Sequence, residues 1–250
     1  MSGHSKWAKI KHKKGATDAK RGAAFTKVIR EITSCAKAGG GNPETNVALR
    51  AAIQRAKGIN MQSSNIENAI KKGTGELPGV VYEDFSFDAY GPGGIAMIIV
   101  GLTDNKNRTT AEIRNVLSKK GGNLASPGST SYLFAKKGFI SIEKDKTTED
   151  DLMTIALDAG AEDIKLEGNY FEVTSGPADF EKVKGAIKAK NIPTVTEEVT
   201  MIPSTTMRVG GSEAKQLLGL MEALEDQEDV QNVYANFDIP DEEMEKLQQE

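Results

Sequence analysis

Cysteine, tryptophan and histidine are nearly missing from this 250-residue chain, which has one Cys, one Trp and two His, with aromatic residues at 6%. Cys35 stands alone, which excludes an intrachain disulfide framework and a thiolate zinc site and fits a reducing cytoplasm. Both histidines, His4 and His12, fall at the N-terminus, so a rigid Ser–His or Cys–His couple has no candidate base elsewhere. No apolar run approaches the roughly 20 residues of a membrane span. The longest, Ile95 to Val100, has the length of a buried strand. Met1 to Gly15 has no apolar stretch, which excludes a secretory signal. It is basic and acid-poor like part of an organelle transit peptide, but lacks the amphipathic Leu and Arg spacing. A hydrophobic content of 38% suits two or three small cores better than one large one.

Catalytic signatures are absent too. There is no HxxxH, no G-x-S-x-G and no dinucleotide fingerprint. Gly91-Pro92-Gly93-Gly94 is followed by neither Lys-Ser nor Lys-Thr, so it reads as a hairpin turn and not a phosphate loop. Asp104 to Thr109 superficially resembles a calcium loop, but Lys106 and Arg108 stand where oxygen ligands are needed. It reads as a strand-to-helix turn with a polar cap, with Arg108 a candidate functional surface residue. The acidic group Asp226, Glu228 and Asp229 reads as solvated charge. No enzyme activity, metal or other cofactor is implied.

What the chain does have is segregated charge. Residues 1–75 carry 15 Lys and Arg against four acidic residues, and the rest carries 17 basic against 32 acidic. A basic head on an acidic body points to polyanion binding at one end, because clustered Lys and Arg release counterions from phosphates. The candidate contacts are Lys6, Trp7, Lys9, Lys11, His12, Lys13 and Lys14 in a polar arm. Lys20, Arg21, Lys27 and Arg30 extend the patch along the first helix, and Arg50, Arg55 and Lys57 form a second surface. Arg50 and Lys57 are seven apart and share a helix face. Lysines suit phosphates, while Trp7 can stack on a base or pack as an anchor for the arm.

The apolar spacing predicts three N-terminal helices. Phe25, Val28, Ile29, Ile32 and Cys35 mark the first, ended by Gly39-Gly40-Gly41. Asn42-Pro43 is expected to cap the second, and Ser64 to Glu67 to form a capping box for the third. Strands are expected at 82–90, 95–102 and 129–135, with a helix at 107–120. Residues 138–202 read as βαββαβ, the ferredoxin-like order. A helix at 212–225 and a strand at 230–237 remain. The first α/β unit lacks a helix and a strand, so these two should complete it. The expected architecture is therefore α+β: a basic arm (1–18), a three-helix domain (19–78), an α/β domain (80–135 plus 204–240), a second ferredoxin-like domain inserted in it (136–203), and a tail (241–250).

Several motifs together resemble the YebC-type family. They are Gly3-His4-Ser5-Lys6-Trp7, Asp18 to Gly22, Phe25-Thr26-Lys27, Arg30-Glu31-Ile32, Tyr90 to Gly94, Asp104 to Thr109, Gly121 to Leu124, Tyr132-Leu133-Phe134 and Met201-Ile202-Pro203. Phe87-Asp88-Ala89 departs from the Tyr-Glu-Gly common in the family at that point. The resemblance implies a helical N-terminal domain with two α/β domains. It also implies a probable transcriptional regulator, or a translational activator as in mitochondrial relatives. The partner is then DNA or ribosomal RNA, with the ribosome or another protein on the acidic α/β domains, and no membrane. No recognition helix rich in Arg, Asn and Gln is evident, which weighs against sequence-specific DNA readout. A Lys-rich arm suits irregular RNA. A second alternative is a protein-interaction scaffold, in which the acidic body binds a partner and the basic head only aids solubility.

Overall fold

In the computed structural model, residues 18–240 and Glu243 are described, with side chains from Gly22 onward. The architecture is α+β, with N-terminal helices followed by two antiparallel sheets. The residues fall into two compact units.

The first unit opens with three helices, α1 (Asp18–Gly39), α2 (Val47–Gly58) and α3 (Ser63–Thr74). The apolar stripe of α1 buries Ile32 and Ala36 against Leu49, Ala52 and Ala56 of α2 and Ile66 and Ala69 of α3. Gly40, at φ +84°, ends α1 in a conformation that glycine adopts at little cost. Two capping expectations fail. Asn42 and Pro43 lie in a turn, and Asn46 caps α2 instead, its Oδ1 accepting from Leu49 N at 3.0 Å. The third helix begins at Ser63 after Gln62, with no side-chain cap, so the capping box does not form.

The sheet of this unit has the order β3-β1-β2-β9, from β1 (Glu83–Tyr90), β2 (Ala96–Thr103), β3 (Asn123–Leu124) and β9 (Val230–Ala235). Its third strand is thus a two-residue edge at 123–124, not the stretch 129–135. There Ser131–Leu133 forms a 3₁₀ turn and Phe134 begins a strand of the other sheet. The strand from Val230 pairs antiparallel with β2, the sheet expected for it, but ends at Ala235. Helices α4 (Lys106–Lys119) and α7 (Gly211–Glu225) pack side by side. They bury Ile113 and Leu117 of the one and Ala214, Leu217, Leu220, Met221 and Leu224 of the other. The central strand β2 is almost wholly buried, as its unbroken apolar run requires.

Opposite β9, β2 carries a bulge at Val100/Gly101. A Cβ on Gly101 would stand 2.0 Å from the Asp229 carbonyl oxygen and 2.7 Å from the Phe85 ring. Neither neighbour is a flexible tip. Gly101→Ala is therefore expected to destabilise the protein by at least ~2 kcal/mol, a melting-point drop of roughly 5 °C. Gly219, inside α7, has open space where its Cβ would be. Gly219→Ala should raise the melting point, by about 0.5–1 kcal/mol of stability. Calorimetry showing equal shifts for the two variants would overturn this account of the bulge.

The second unit is a βαββαβ chain of β4 (Phe134–Glu143), α5 (Glu149–Asp158), β5 (Ala161–Glu167), β6 (Tyr170–Ser175), α6 (Phe180–Ala189) and β7 (Thr196–Pro203). Its sheet order is β5-β6-β4-β7, antiparallel throughout. Ile140, Ile142, Phe171 and Val173 meet Leu152, Ala156, Phe180, Val183 and Ile187 from the helices. Two short strands, β8 (Met207–Arg208) and β10 (Phe237–Asp238), pair as a ribbon.

Candidate nucleic-acid interface

The arm candidates Lys6, Trp7, Lys9, Lys11, His12, Lys13 and Lys14 lie outside the described residues, as do the side chains of Lys20 and Arg21. The described basic surface is built on the three helices. Asn46 fixes the start of α2, its amide donating to Cys35 O at 2.8 Å and to Gly40 O at 2.9 Å. Gly73 lets α3 approach α1 closely, since a Cβ there would lie 2.4 Å from Thr33 O. On this frame Arg50 and Lys57 are exposed, and Arg50 donates to the carbonyls of Pro43 (3.2 Å) and Glu44 (3.4 Å). Arg55 is half exposed but forms a forked ion pair with Glu31, which offsets its charge. The Cys35 thiol is pushed up by its burial and then by Glu31, against the pull of Arg55, which favours the neutral form.

Three exposed lysines were not singled out from the sequence. Lys37 ends α1, and Lys71 and Lys72 end α3. Cations at helix C-termini complement the helix dipole. Lys37 and Lys72 line a groove of about 280 Å³ with Ser34, Thr74 and Tyr82. The clue available in the sequence was their position in the last turn before a glycine.

Lys27 and Arg30 are turned to a different task. The Lys27 ammonium donates to the Glu225 carbonyl, and the Lys27 carbonyl accepts from Gln231 at 3.2 Å. Arg30 is 8% exposed and donates to Asp229 Oδ1 and, at 3.1 Å, to Glu228 Oε2. Its guanidinium also lies 5.5 Å from the centroid of the Tyr82 ring. Its position in the expected surface patch is corrected: its charge is used internally, where burial makes an unpaired guanidinium costly. Asp229 is corrected with it, being 4% exposed rather than solvated.

The other oxygen of Asp229 gathers Thr103 (3.0 Å), Thr109 and Arg108 (3.3 Å). Asn105 N donates to Thr103 Oγ1 at 2.9 Å, which leaves the Thr103 proton free to point at the carboxylate. Burial works to raise the Asp229 pKa, but hydrogen bonds from Thr109, Thr103 and Arg30 outweigh it and hold the group below the ordinary carboxylate value. Arg108, half exposed, is raised by hydrogen bonds to Asp104 and Asp229. The calcium-like stretch is therefore a capped turn whose Thr109, with the preceding Thr103, serves Asp229. Among the described residues, no group of three or more His, Cys, Asp or Glu side chains is placed to hold a metal. No described helix is long and apolar enough to cross a membrane.

Comparison with known proteins places these features in a family. Residues 5–76 match the TACO1/YebC protein N-terminal domain, and residues 82–237 match the TACO1/YebC second and third domain. A "Probable transcriptional regulatory protein" of Desulforapulum autotrophicum is 54% identical over 242 residues, covering 97% of this chain and 98% of the relative. One of the same description from Syntrophobacter fumaroxidans is 53% identical over 248 residues, covering 99% of this chain and all of the relative. The crystal structure of a conserved hypothetical protein from Aquifex aeolicus superposes with a TM-score of 0.77 at 41% identity, covering 90% of this chain and 93% of that one. With both family regions matched and the likeness running nearly end to end, this chain belongs to the TACO1/YebC family.

Proposed function

We propose that the protein is a non-enzymatic nucleic-acid-binding regulator of gene expression, a transcriptional regulatory protein that binds DNA through its basic N-terminal region. The observation that carries the reading is the charge segregation, 15 basic against four acidic residues in 1–75. The descriptions of its relatives as probable transcriptional regulatory proteins support it. In this reading Lys6, Lys9, Lys11, His12, Lys13, Lys14, Lys20, Arg21, Arg50 and Lys57 contact phosphates, and Trp7 stacks or anchors. Arg55 contributes only if Glu31 releases it. Lys37, Lys71 and Lys72 join the set, while Lys27 and Arg30 hold the fold. A second reading, a translation factor on ribosomal RNA, is favoured by the Lys-rich composition of residues 6–14, which suits irregular folded RNA.

We also propose that both α/β parts are ferredoxin-like, with 136–203 inserted between 80–135 and 204–240. The strand order β5-β6-β4-β7 and the pairing of β9 with β2 support this. The lone cysteine fits a cytoplasmic setting.

Crosslinking in cells, followed by separate sequencing of bound DNA and RNA, tests the function. Enriched promoter fragments are expected. Dominant ribosomal RNA would transfer the assignment to the translation reading. Recovery of neither, with protein partners retained at high salt, would sink nucleic-acid binding altogether.

A further inference from the structure

The basic charge is not confined to the N-terminal helices. Within the acidic body, residues 104–120 hold five basic residues, Lys106, Arg108, Arg114, Lys119 and Lys120, against Asp104 and Glu112. This stretch is α4 with its caps, Asn105 before it and Lys120 after it, and all five basic residues are exposed. Ile113 and Leu117 bury one side of the helix, and Thr109 points inward to Asp229. The opposite side carries Asn107, Ala111, Arg114, Asn115 and Ser118, all exposed. Their spacing of i, i+4, i+7, i+8 and i+11 puts them on one stripe, about 16 Å long.

This stripe presents two carboxamides, a guanidinium and a hydroxyl around a small Ala111. These groups form the bidentate pairs that read base edges: Arg with guanine O6 and N7, Asn with adenine N6 and N7. Lys106 at one end, and Lys119 and Lys120 at the other, are placed for flanking phosphates. Beside Arg114 and Ser118 an open depression of about 480 Å³, bordered by Asn123 and Ser126, leaves room for a backbone to approach. The helix is also held rigidly. Asn105 caps it, accepting from Arg108 N at 3.1 Å, and Thr109 ties its first turn to the buried carboxylate. The sequence alone does not display this face. Its residues are interleaved with core positions, and the face emerges only once the buried side is known.

We infer that the exposed face of α4 enters the major groove of B-form DNA, with Asn107, Arg114 and Asn115 reading base edges. The inference rests on the DNA-binding reading above and deepens it: the N-terminal lysines supply affinity and α4 supplies sequence preference. B-form DNA is the occupant that fits, because its major groove admits an α-helix whereas the deep, narrow groove of duplex RNA does not.

The test is selection from a random duplex DNA library by the full-length protein, alongside a structured RNA library. The wild type should enrich a short motif. The triple variant Asn107→Ala/Arg114→Ala/Asn115→Ala should lose it, with affinity for the motif falling at least about 100-fold while binding to random DNA changes little. Arg114→Lys keeps the charge but not the fork, so it should lose preference at one position with binding to random DNA retained. Its melting temperature reports whether the fold is intact. A triple variant that enriches the wild-type motif overturns the inference and leaves the broader reading standing. So does a wild type that binds DNA without enriching any motif. Enrichment from the RNA library alone overturns both.

Discussion

Asp229→Ala should lower the melting temperature by about 10 °C or more, with a loss of roughly 3–5 kcal/mol. The substitution leaves the Arg30 guanidinium in place at 8% exposure, with Asp229 gone and the exposed Glu228 as its remaining carboxylate among the described residues. It also strips an acceptor from Thr103 and Thr109, which keep their bond to each other at 2.7 Å and that of Thr109 to the Asn105 carbonyl at 3.0 Å. An unpaired buried charge is far more costly than the pair was favourable, so the double variant Arg30→Met/Asp229→Leu should recover much of the loss. The pH dependence follows from the depressed carboxyl. A group held below its unfolded value stabilises above that value and loses its contribution as pH falls through the folded one. The gap between wild type and Asp229→Ala should therefore be constant above about pH 5 and shrink below about pH 4. Thermal melts that differ by less than about 1 °C at pH 7 would show that this carboxylate does not fasten α1 to the sheet.

How much of this could be read beforehand depends on the range of the signal. The three helices, the strands around the Gly91–Gly94 turn and the βαββαβ order all carried local periodicity, and they stand close to where it put them. The pairing of β9 with β2 was legible because each half of the sheet was incomplete alone. The misses share a different cause. Asp229 looked solvated because its neighbours Asp226 and Glu228 are acidic, and the partners that bury it, Arg30, Thr103 and Thr109, lie far away in sequence. Arg30 looked like one more basic residue on a basic helix for the same reason. Asn46 and not Asn42 caps α2 because its amide reaches the end of α1, a tertiary bond that no local rule reports. The sequence located the charge well but could not say which charges the fold consumes.

That distinction decides the salt response. If roughly six to ten phosphates are engaged, affinity for duplex DNA should fall on the order of 10³–10⁵ between 50 and 200 mM salt. Each lost contact lowers the slope of log affinity against log salt by about 0.9. Replacing Lys6, Lys9, Lys11, Lys13 and Lys14 by alanine should thus remove up to ~4–5 units of slope, and Arg50→Ala/Lys57→Ala up to ~2. Arg50 and Lys57 are exposed, so the second set leaves the buried core untouched. Arg30→Ala, which also removes a positive charge, should leave the slope nearly as it was and lower the melting temperature instead, because its partner is Asp229. Titrations by fluorescence anisotropy at four salt concentrations separate these outcomes. An unchanged slope in the five-lysine variant would remove the arm from the interface. A slope that drops with Arg30→Ala while the fold stays intact would return that residue to it.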